Sequence, residues 1–284
     1  MMKYFFTKMS GSGNDFILFD KKINPKLELT PSKIAQICNR RTGIGADGVL
    51  LLEPSANSVF QMKYFNADGF EGSLCGNGAR CSLFYSTVNG LTKSSDIKFE
   101  FSEQIYSGSV LNGELVKFNF QQPKDVKLGF VIQVNGQSIK ASYINTGSPH
   151  VVISVEKVLR DNEDSKSFYT SLDDFPVFEL GKKIRYHEEF APTGVNVNFI
   201  KYEDGLLKIR TYERGVEDET LSCGTGAVAS AVVACTMGLA KQPISLLAKS
   251  GDQLIVDFKF DGLEFTDVSL TGPVKVVFNG EITI

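Results

Sequence analysis

Two cysteines, Cys75 and Cys223, occupy matching surroundings in the two halves of a 284-residue chain. Cys75 lies in Leu74-Cys75-Gly76-Asn77-Gly78-Ala79, and Cys223 in Ser222-Cys223-Gly224-Thr225-Gly226-Ala227. A thiol acts as a base only as thiolate. A helix N-terminus favours that form through the positive end of the dipole and its free N–H groups. The glycines let backbone amides approach a ligand without Cβ interference, and such amides can hold a carboxylate. Two turns of this kind facing one cleft would grip an α-carboxylate and leave a thiolate and a thiol on opposite faces of Cα. One sulfur would remove the α-proton and the other would deliver a proton to the far face, inverting the centre. Dipoles and amides on the carboxylate would stabilise the developing carbanion in a water-excluded site. The scheme demands neither metal nor pyridoxal cofactor, so the expected cofactor is none and the expected metal is none.

The elements that must position these thiols are duplicated. Each cysteine turn opens a helix-like run closing on Gly-Leu, at Gly90-Leu91 and Gly238-Leu239, and the runs align without a gap at a spacing of 148 residues. Upstream, Gly13-Asn14-Asp15-Phe16 is echoed by Gly147-Ser148-Pro149-His150, Thr42-Gly43-Ile44 by Thr193-Gly194-Val195, and Tyr64 by Tyr212. Tyr4–Thr7, Phe16–Phe19, Val49–Leu52 and Phe60–Phe65 read as strands, with Asn66-Ala67-Asp68-Gly69 as a turn. Thr30-Pro31 is a helix start, with Ile34, Ile37 and Cys38 at helical spacing. Alternation in Ile97–Phe101, Ile105–Val110 and Leu115–Phe120 predicts an antiparallel meander. The run Val228–Cys235 is apolar all round and belongs in a buried helix; the first-half helix carries Leu83, Phe84 and Val88. Arg160–Asp174 is charged and reads as a solvated insertion with some helix, and Val274–Ile284 as a strand returning to the first half. The expected fold is α/β, of the α+β type: two pseudo-symmetric halves, each a curved, mostly antiparallel sheet around a central helix, with the active site in the cleft between them. The halves are 1–121 with 272–284, carrying Cys75, and 122–271, carrying Cys223.

Bulk properties exclude several classes of function. A net charge of −3 leaves no footprint for nucleic acid or an anionic membrane. No apolar run reaches the roughly 20 residues that span a bilayer, and the N-terminus reads as a strand rather than a signal peptide. Five cysteines without a close-spaced framework, and no Cys-x-x-Cys, argue for a reducing, cytoplasmic setting and against a disulfide scaffold. Cys38, Cys81 and Cys235 read as small buried hydrophobes. Of two histidines, His187 reads as structural, on a helix face, while His150 reads equally as a core histidine or a functional one. The partner is a small-molecule amino acid; the oligomeric state is left open, a homodimer being one option.

Taken together the motifs resemble the diaminopimelate epimerase family. The resemblance is carried by Gly11-Ser12-Gly13-Asn14-Asp15-Phe16, Arg41-Thr42-Gly43-Ile44-Gly45-Ala46-Asp47-Gly48, Asn66-Ala67-Asp68-Gly69, Cys75-Gly76-Asn77-Gly78-Ala79-Arg80-Cys81, Tyr212-Glu213-Arg214-Gly215 and Cys223-Gly224-Thr225-Gly226-Ala227, in the family's order. It implies a cofactor-independent enzyme of lysine biosynthesis that interconverts LL- and meso-diaminopimelate. Cys75 and Cys223 are then the acid/base pair, with Cys75 written as donor, Cys223 as acceptor, and His150 and Glu213 tuning the thiols. It also implies substrate contacts at Asn14, Asn66, Gly76, Asn77, Asn196, Glu213, Arg214, Gly224 and Thr225. Arg214 suits a bidentate grip on the distal carboxylate, and Glu213 and the asparagine oxygens suit ammonium groups. Each has a plainer reading: Asn14 and Asn66 as turn residues, Glu213-Arg214 as a surface pair, Asn196 as a strand residue bonding backbone. Two positions depart from the family pattern. Ser148 stands where many relatives carry asparagine, and Gly48 where some carry a glutamine that touches ligand. The rival readings are a proline or hydroxyproline racemase-like isomerase, a dithiol redox protein, and a non-catalytic amino-acid binder.

Overall fold

Alternation of exposed and buried side chains opens β1 (Lys3–Gly11), and β2 (Asn14–Asp20) runs back beside it with Thr7 opposite Leu18. The structure is a computed structural model and describes residues 2–284. The chain forms two compact units, Met1–Asn119 with Thr271–Ile284, and Phe120–Leu270.

In the first unit, α1 (Pro31–Cys38) starts where threonine and proline allow. Thr30 Oγ1 accepts from the Lys33 amide at 3.4 Å, and Pro31 sits where a missing N–H costs nothing. Ile34, Ile37 and Cys38 turn inward. β3 (Gly48–Glu53) is buried and lies parallel to β2, placing Phe16 beside Gly48. β4 (Phe60–Asn66) is antiparallel to it, with Val49 opposite Phe65. After α2 (Gly76–Val88) come β5 (Ile97–Phe101), β6 (Gln104–Val110) and β7 (Leu115–Asn119), the expected antiparallel meander.

The second unit opens with a hairpin of β8 (Lys124–Val134) and β9 (Gln137–Asn145). β10 (Pro149–Ser154) is antiparallel to β9. α3 (Val177–Arg185) precedes β11 (Asn196–Glu203), which is parallel to β10 and sets His150 beside Asn196. β12 (Leu206–Glu213) is antiparallel to β11, with Val197 opposite Tyr212, and β13 (Asp218–Thr220) returns along it. Then follow α4 (Gly224–Thr236), β14 (Ile244–Leu247), β15 (Gln253–Phe260) and β16 (Phe265–Pro273). The chain then returns to the first unit, where β17 (Lys275–Thr283) pairs with β1, Tyr4 opposite Ile282. The fold is thus mixed α/β, dominated by curved, mostly antiparallel sheet with few helices.

Each unit is organised on one 13-residue helix. α2 packs against β1, β2, β3, β4, β6 and β7, and α4 against β9, β10, β11, β12, β14 and β15. Burial on every side explains why neither helix is amphipathic. Every residue from Gly226 to Ala234 is buried, and Val228, Val232 and Val233 each contribute roughly 1.5–3 kcal/mol by leaving water. Both helices stop alike. Gly90 and Gly238 take positive φ of 70° and 72°, and the amides of Leu91 and Leu239 bond back to Ser86 and Ala234, each at 2.9 Å. The Gly-Leu pairs are therefore helix-ending signals, because only glycine enters that conformation without steric cost.

Three details differ from the sequence expectations. Val88 is exposed, since it falls in the last turn of α2. Residues 160–174 hold no helix; turns and a single bridge, Leu159 to Phe168, organise the segment, and Leu172 is buried. Ladder register also shifts one sequence match. Tyr212 lies opposite Val197 as Phe65 lies opposite Val49, so Tyr212 corresponds to Phe65, Thr211 to Tyr64, and Glu213 to Asn66.

Candidate active site

Both cysteines are helix N-caps. Cys75 (φ −96°, ψ 114°) caps α2 and Cys223 (φ −126°, ψ 111°) caps α4. Each carbonyl accepts the first intrahelical bond, from Ala79 and from Ala227, at 2.8 Å in both cases. Both side chains are partly exposed. Helix geometry leaves the amides of residues 76–78 and 224–226 without an intrahelical acceptor. Each turn therefore offers a sulfur and a cluster of N–H donors at the positive end of a helix dipole. Gly76, Gly224 and Asn77 are buried, while Thr225 is half-buried.

In the second unit a polar chain leads from the core to Cys223. His150 is fully buried. Burial and the Arg214 charge push its pKa down to about 3, so the ring is neutral. Its Nε2 lies 2.9 Å from Thr225 Oγ1 and 2.9 Å from Ser148 Oγ. Thr225 Oγ1 is 3.4 Å from Cys223 Sγ and 3.3 Å from Ser148 Oγ. Asn196 uses its amide on protein: Nδ2 donates to Pro149 O at 3.0 Å and Ser148 Oγ at 3.3 Å, and Oδ1 accepts from the Arg214 amide at 2.9 Å. It thus holds the Glu213-Arg214 backbone. Glu213 and Arg214, at the end of β12, are half-buried. Ser148 is a hub of this chain.

In the first unit the corresponding positions carry asparagines. Asn77 Nδ2 donates to Asn14 Oδ1 at 2.7 Å, as Thr225 meets Ser148 in the second unit. Asn14 Nδ2 donates to Asp47 Oδ2 at 3.0 Å, and Asn77 Oδ1 accepts from buried Arg80 at 2.6 Å. Asp15 is clamped by Lys8 at 2.6 Å and by Arg40 at 2.6 and 2.9 Å. Burial raises its pKa, but Arg40 and Lys8 overcome that and hold it near 2. Asn66 closes β4: its amide bonds Phe70 O and its carbonyl accepts from Gly69, both at 2.9 Å. Gly48 admits no side chain, since a Cβ there would stand 2.4 Å from Phe65 O and 2.6 Å from the Tyr64 ring.

The remaining sulfurs and the second histidine stand apart from this chemistry. Cys38 and Cys81 are buried, and burial pushes both thiols up, Cys38 to about 11. Cys235 is only partly buried, near the end of α4, and its Sγ meets Gln242 Oε1 at 3.3 Å. His187 caps a short 3-10 turn, its Nδ1 accepting from the Glu189 amide at 3.2 Å, rather than lying on a helix face. Among the described residues no three His, Cys, Asp or Glu side chains come together in a way that could hold a metal ion, and no helix is long and apolar enough to cross a membrane. Sequence reasoning missed Asn198, Thr211 and Asp47, all bonded into these networks. The alternation of asparagines along Asn196-Val197-Asn198 was the available signal for the first of these.

Comparison with known proteins agrees with these motifs. The diaminopimelate epimerase family model matches residues 6–117 and 142–277. A diaminopimelate epimerase of Chlorobaculum tepidum is 37% identical over 280 residues, covering 97% of this chain and all of the relative. One from Aquifex aeolicus is 37% identical over 291 residues, covering 98% and 97%. Among solved structures, a phenazine biosynthesis protein of the PhzF family from Bacillus anthracis superposes with a TM-score of 0.72 at 14% identity, over the whole of both chains. A hydroxyproline epimerase from Agrobacterium vitis with bound trans-4-OH-L-proline does so at 0.69 and 15%, covering 99% and 92%. At such identities these two likenesses establish the fold alone. The full-length relatives and the family model go further: the chain belongs to the diaminopimelate epimerase family and is an isomerase, an epimerase of lysine biosynthesis.

Proposed function

We propose that the chain interconverts LL- and meso-diaminopimelate without a cofactor, with Cys75 and Cys223 acting as base and acid on opposite faces of one Cα. The observation that carries this reading is the like placement of the two thiols. Each caps a buried 13-residue helix, each is partly exposed, and each is followed by amides that can bind a carboxylate. In each direction one sulfur takes the α-proton as thiolate while the other, as thiol, gives its proton to the far face. The labels donor for Cys75 and acceptor for Cys223 exchange when the reaction reverses. The half formed by 1–121 with 272–284 supplies the first sulfur, and 122–271 the second.

Diaminopimelate has an amino-acid group at each end, so its site needs anchors for two carboxylates and two ammonium groups. The amides of Gly76, Asn77, Gly224 and Thr225 serve the reacting carboxylate, and the Arg214 guanidinium the distal one. Asn14, Asn66, Asn196 and Glu213 offer oxygens to ammonium. Glu213-Arg214 favours this substrate over proline or hydroxyproline, which have no distant group to hold. The test is incubation with LL-diaminopimelate in deuterated buffer containing reductant and chelator, without pyridoxal phosphate. The expected result is conversion to the meso form with deuterium at Cα, lost in Cys75→Ala and Cys223→Ala. Conversion without deuterium, or none at all, overturns the mechanism. A dithiol redox protein would instead leave LL-diaminopimelate unchanged and its Cα undeuterated.

A further inference from the structure

Ladder register makes the two units comparable residue by residue. Phe16 stands beside Gly48 as His150 stands beside Asn196, and Leu50 lies two residues along β3 as Asn198 lies two along β11. The second glycine of each cysteine turn faces that last position. A Cβ on Gly78 would lie 3.0 Å from Leu50 Cδ2, and one on Gly226 would lie 2.4 Å from Asn198 Oδ1. The pair behind Cys75 is therefore Phe16 and Leu50, and the pair behind Cys223 is His150 and Asn198, all four almost wholly buried. The same scaffold is built in the first unit with two apolar side chains. Two buried polar ones in the second are costly unless every group is bonded.

They are bonded, and the bonds have a direction. The Val151 carbonyl can only accept, so Asn198 must turn Nδ2 toward it, at 3.0 Å. Its Oδ1 accepts from the Thr211 hydroxyl at 2.9 Å. The second Nδ2 hydrogen then meets His150 Nδ1 at 3.1 Å, and that nitrogen must accept. A neutral imidazole whose Nδ1 accepts carries its proton on Nε2. From there it reaches Thr225 Oγ1 and Ser148 Oγ, both at 2.9 Å. The Thr225 hydroxyl cannot donate back to a protonated Nε2, and Ser148 Oγ, 3.3 Å away, already accepts from Asn196 Nδ2 and faces the same ring proton, which directs the Thr225 hydrogen to Cys223 Sγ at 3.4 Å.

We propose that Asn198 is a positioning residue: it locks His150 as the Nε2–H tautomer, so that imidazole and Thr225 form a one-way donor chain ending on the Cys223 sulfur. The chain stabilises the Cys223 thiolate by donation and cannot accept its proton through Nε2. The two thiols are thus backed differently, by Phe16 and Leu50 in one unit and by His150 and Asn198 in the other. The catalytic consequence rests on the two-cysteine reading above; the tautomer does not.

The test begins with the unmodified full-length chain. Long-range proton–nitrogen correlation spectra of 15N-labelled protein contain two histidine ring systems, and His150→Phe assigns them. At neutral pH, His150 should show a protonated Nε2 and an unprotonated Nδ1; a protonated Nδ1 overturns the proposal. Asn198→Asp replaces the donor with an acceptor and should move the ring proton to Nδ1, with kcat falling at least 10-fold and KM little changed. An unmoved proton refutes the role of Asn198. The double variant His150→Phe/Asn198→Leu copies the first unit and should fold. In it, alkylation of Cys223 by iodoacetamide, followed by peptide mass spectrometry, should slow about 10-fold while Cys75 reacts as before. An unchanged Cys223 rate in the folded double variant sinks the donor chain. If wild-type protein failed to epimerise diaminopimelate, the ring-proton and alkylation results would still decide this proposal separately.

Discussion

Substituting alanine at the second glycine of each cysteine turn makes a paired experiment within one molecule. Both glycines have ordinary backbone angles, so alanine brings no φ penalty, and helix propensity favours it by up to about 1 kcal/mol. At Gly78 the new methyl would meet Leu50 Cδ2 at 3.0 Å, the end of a side chain that can rotate by a few tenths of an ångström. At Gly226 it would meet Asn198 Oδ1 at 2.4 Å, with Cys223 Cβ and Sγ each at 3.3 Å. Relief there requires Asn198 to move by about 1 Å, which breaks its bonds to Val151 O, His150 Nδ1 and Thr211 Oγ1. Three buried hydrogen bonds at about 1 kcal/mol each, less the propensity gain, leave Gly226→Ala about 2 kcal/mol less stable. Gly78→Ala should lie within about 1 kcal/mol of wild type. Urea titration followed by circular dichroism measures both, and calorimetry should show the melting transition of Gly226→Ala lowered by roughly 4–8 °C. If Gly226→Ala melts with the wild type, or Gly78→Ala suffers equally, the fixed Asn198 amide is not what demands glycine at 226.

Further outcomes are expected. If Arg214 makes the proposed bidentate grip on the distal carboxylate, Arg214→Lys forfeits about 2–3 kcal/mol, so kcat/KM for diaminopimelate should fall roughly 30- to 150-fold while the melting temperature stays nearly constant; unchanged turnover would show that Arg214 does not hold the substrate. Asp15 is held near pH 2 against an ordinary 3.8, so it binds a proton less readily folded than unfolded and stabilises the fold above that range. That contribution, about 2 kcal/mol, is lost as pH falls through 2, so the stability gap between wild type and Asp15→Asn should shrink between pH 5 and pH 2; a gap independent of pH would contradict it. In native protein, Cys75 and Cys223 should be alkylated before Cys38 and Cys81, whose thiols are buried and pushed up; peptide mass spectrometry giving the reverse order would place the reactive sulfurs elsewhere.

Local chemistry was legible in the chain because it depends on neighbours in sequence. Cys-Gly-x-Gly-Ala predicted helix starts at 76 and 224, Gly-Leu predicted their ends, and Thr30-Pro31 predicted α1, since caps and positive-φ glycines act within a single turn. Val228–Cys235, apolar on every side, predicted a wrapped helix for the same reason. What lies across a ladder was not legible. Nothing local tells that Asn198 sits against Gly226, that Thr211 rather than Tyr212 matches Tyr64, or that Gly48 has no room for a side chain. The charged composition of 160–174 likewise hid Leu172, which tertiary packing buries. Residue types and spacing determined that two thiols stand at two helix N-termini. Only strand register decided that one is backed by phenylalanine and leucine and the other by histidine and asparagine, because register brings together residues tens of positions apart whose pairing no local rule encodes.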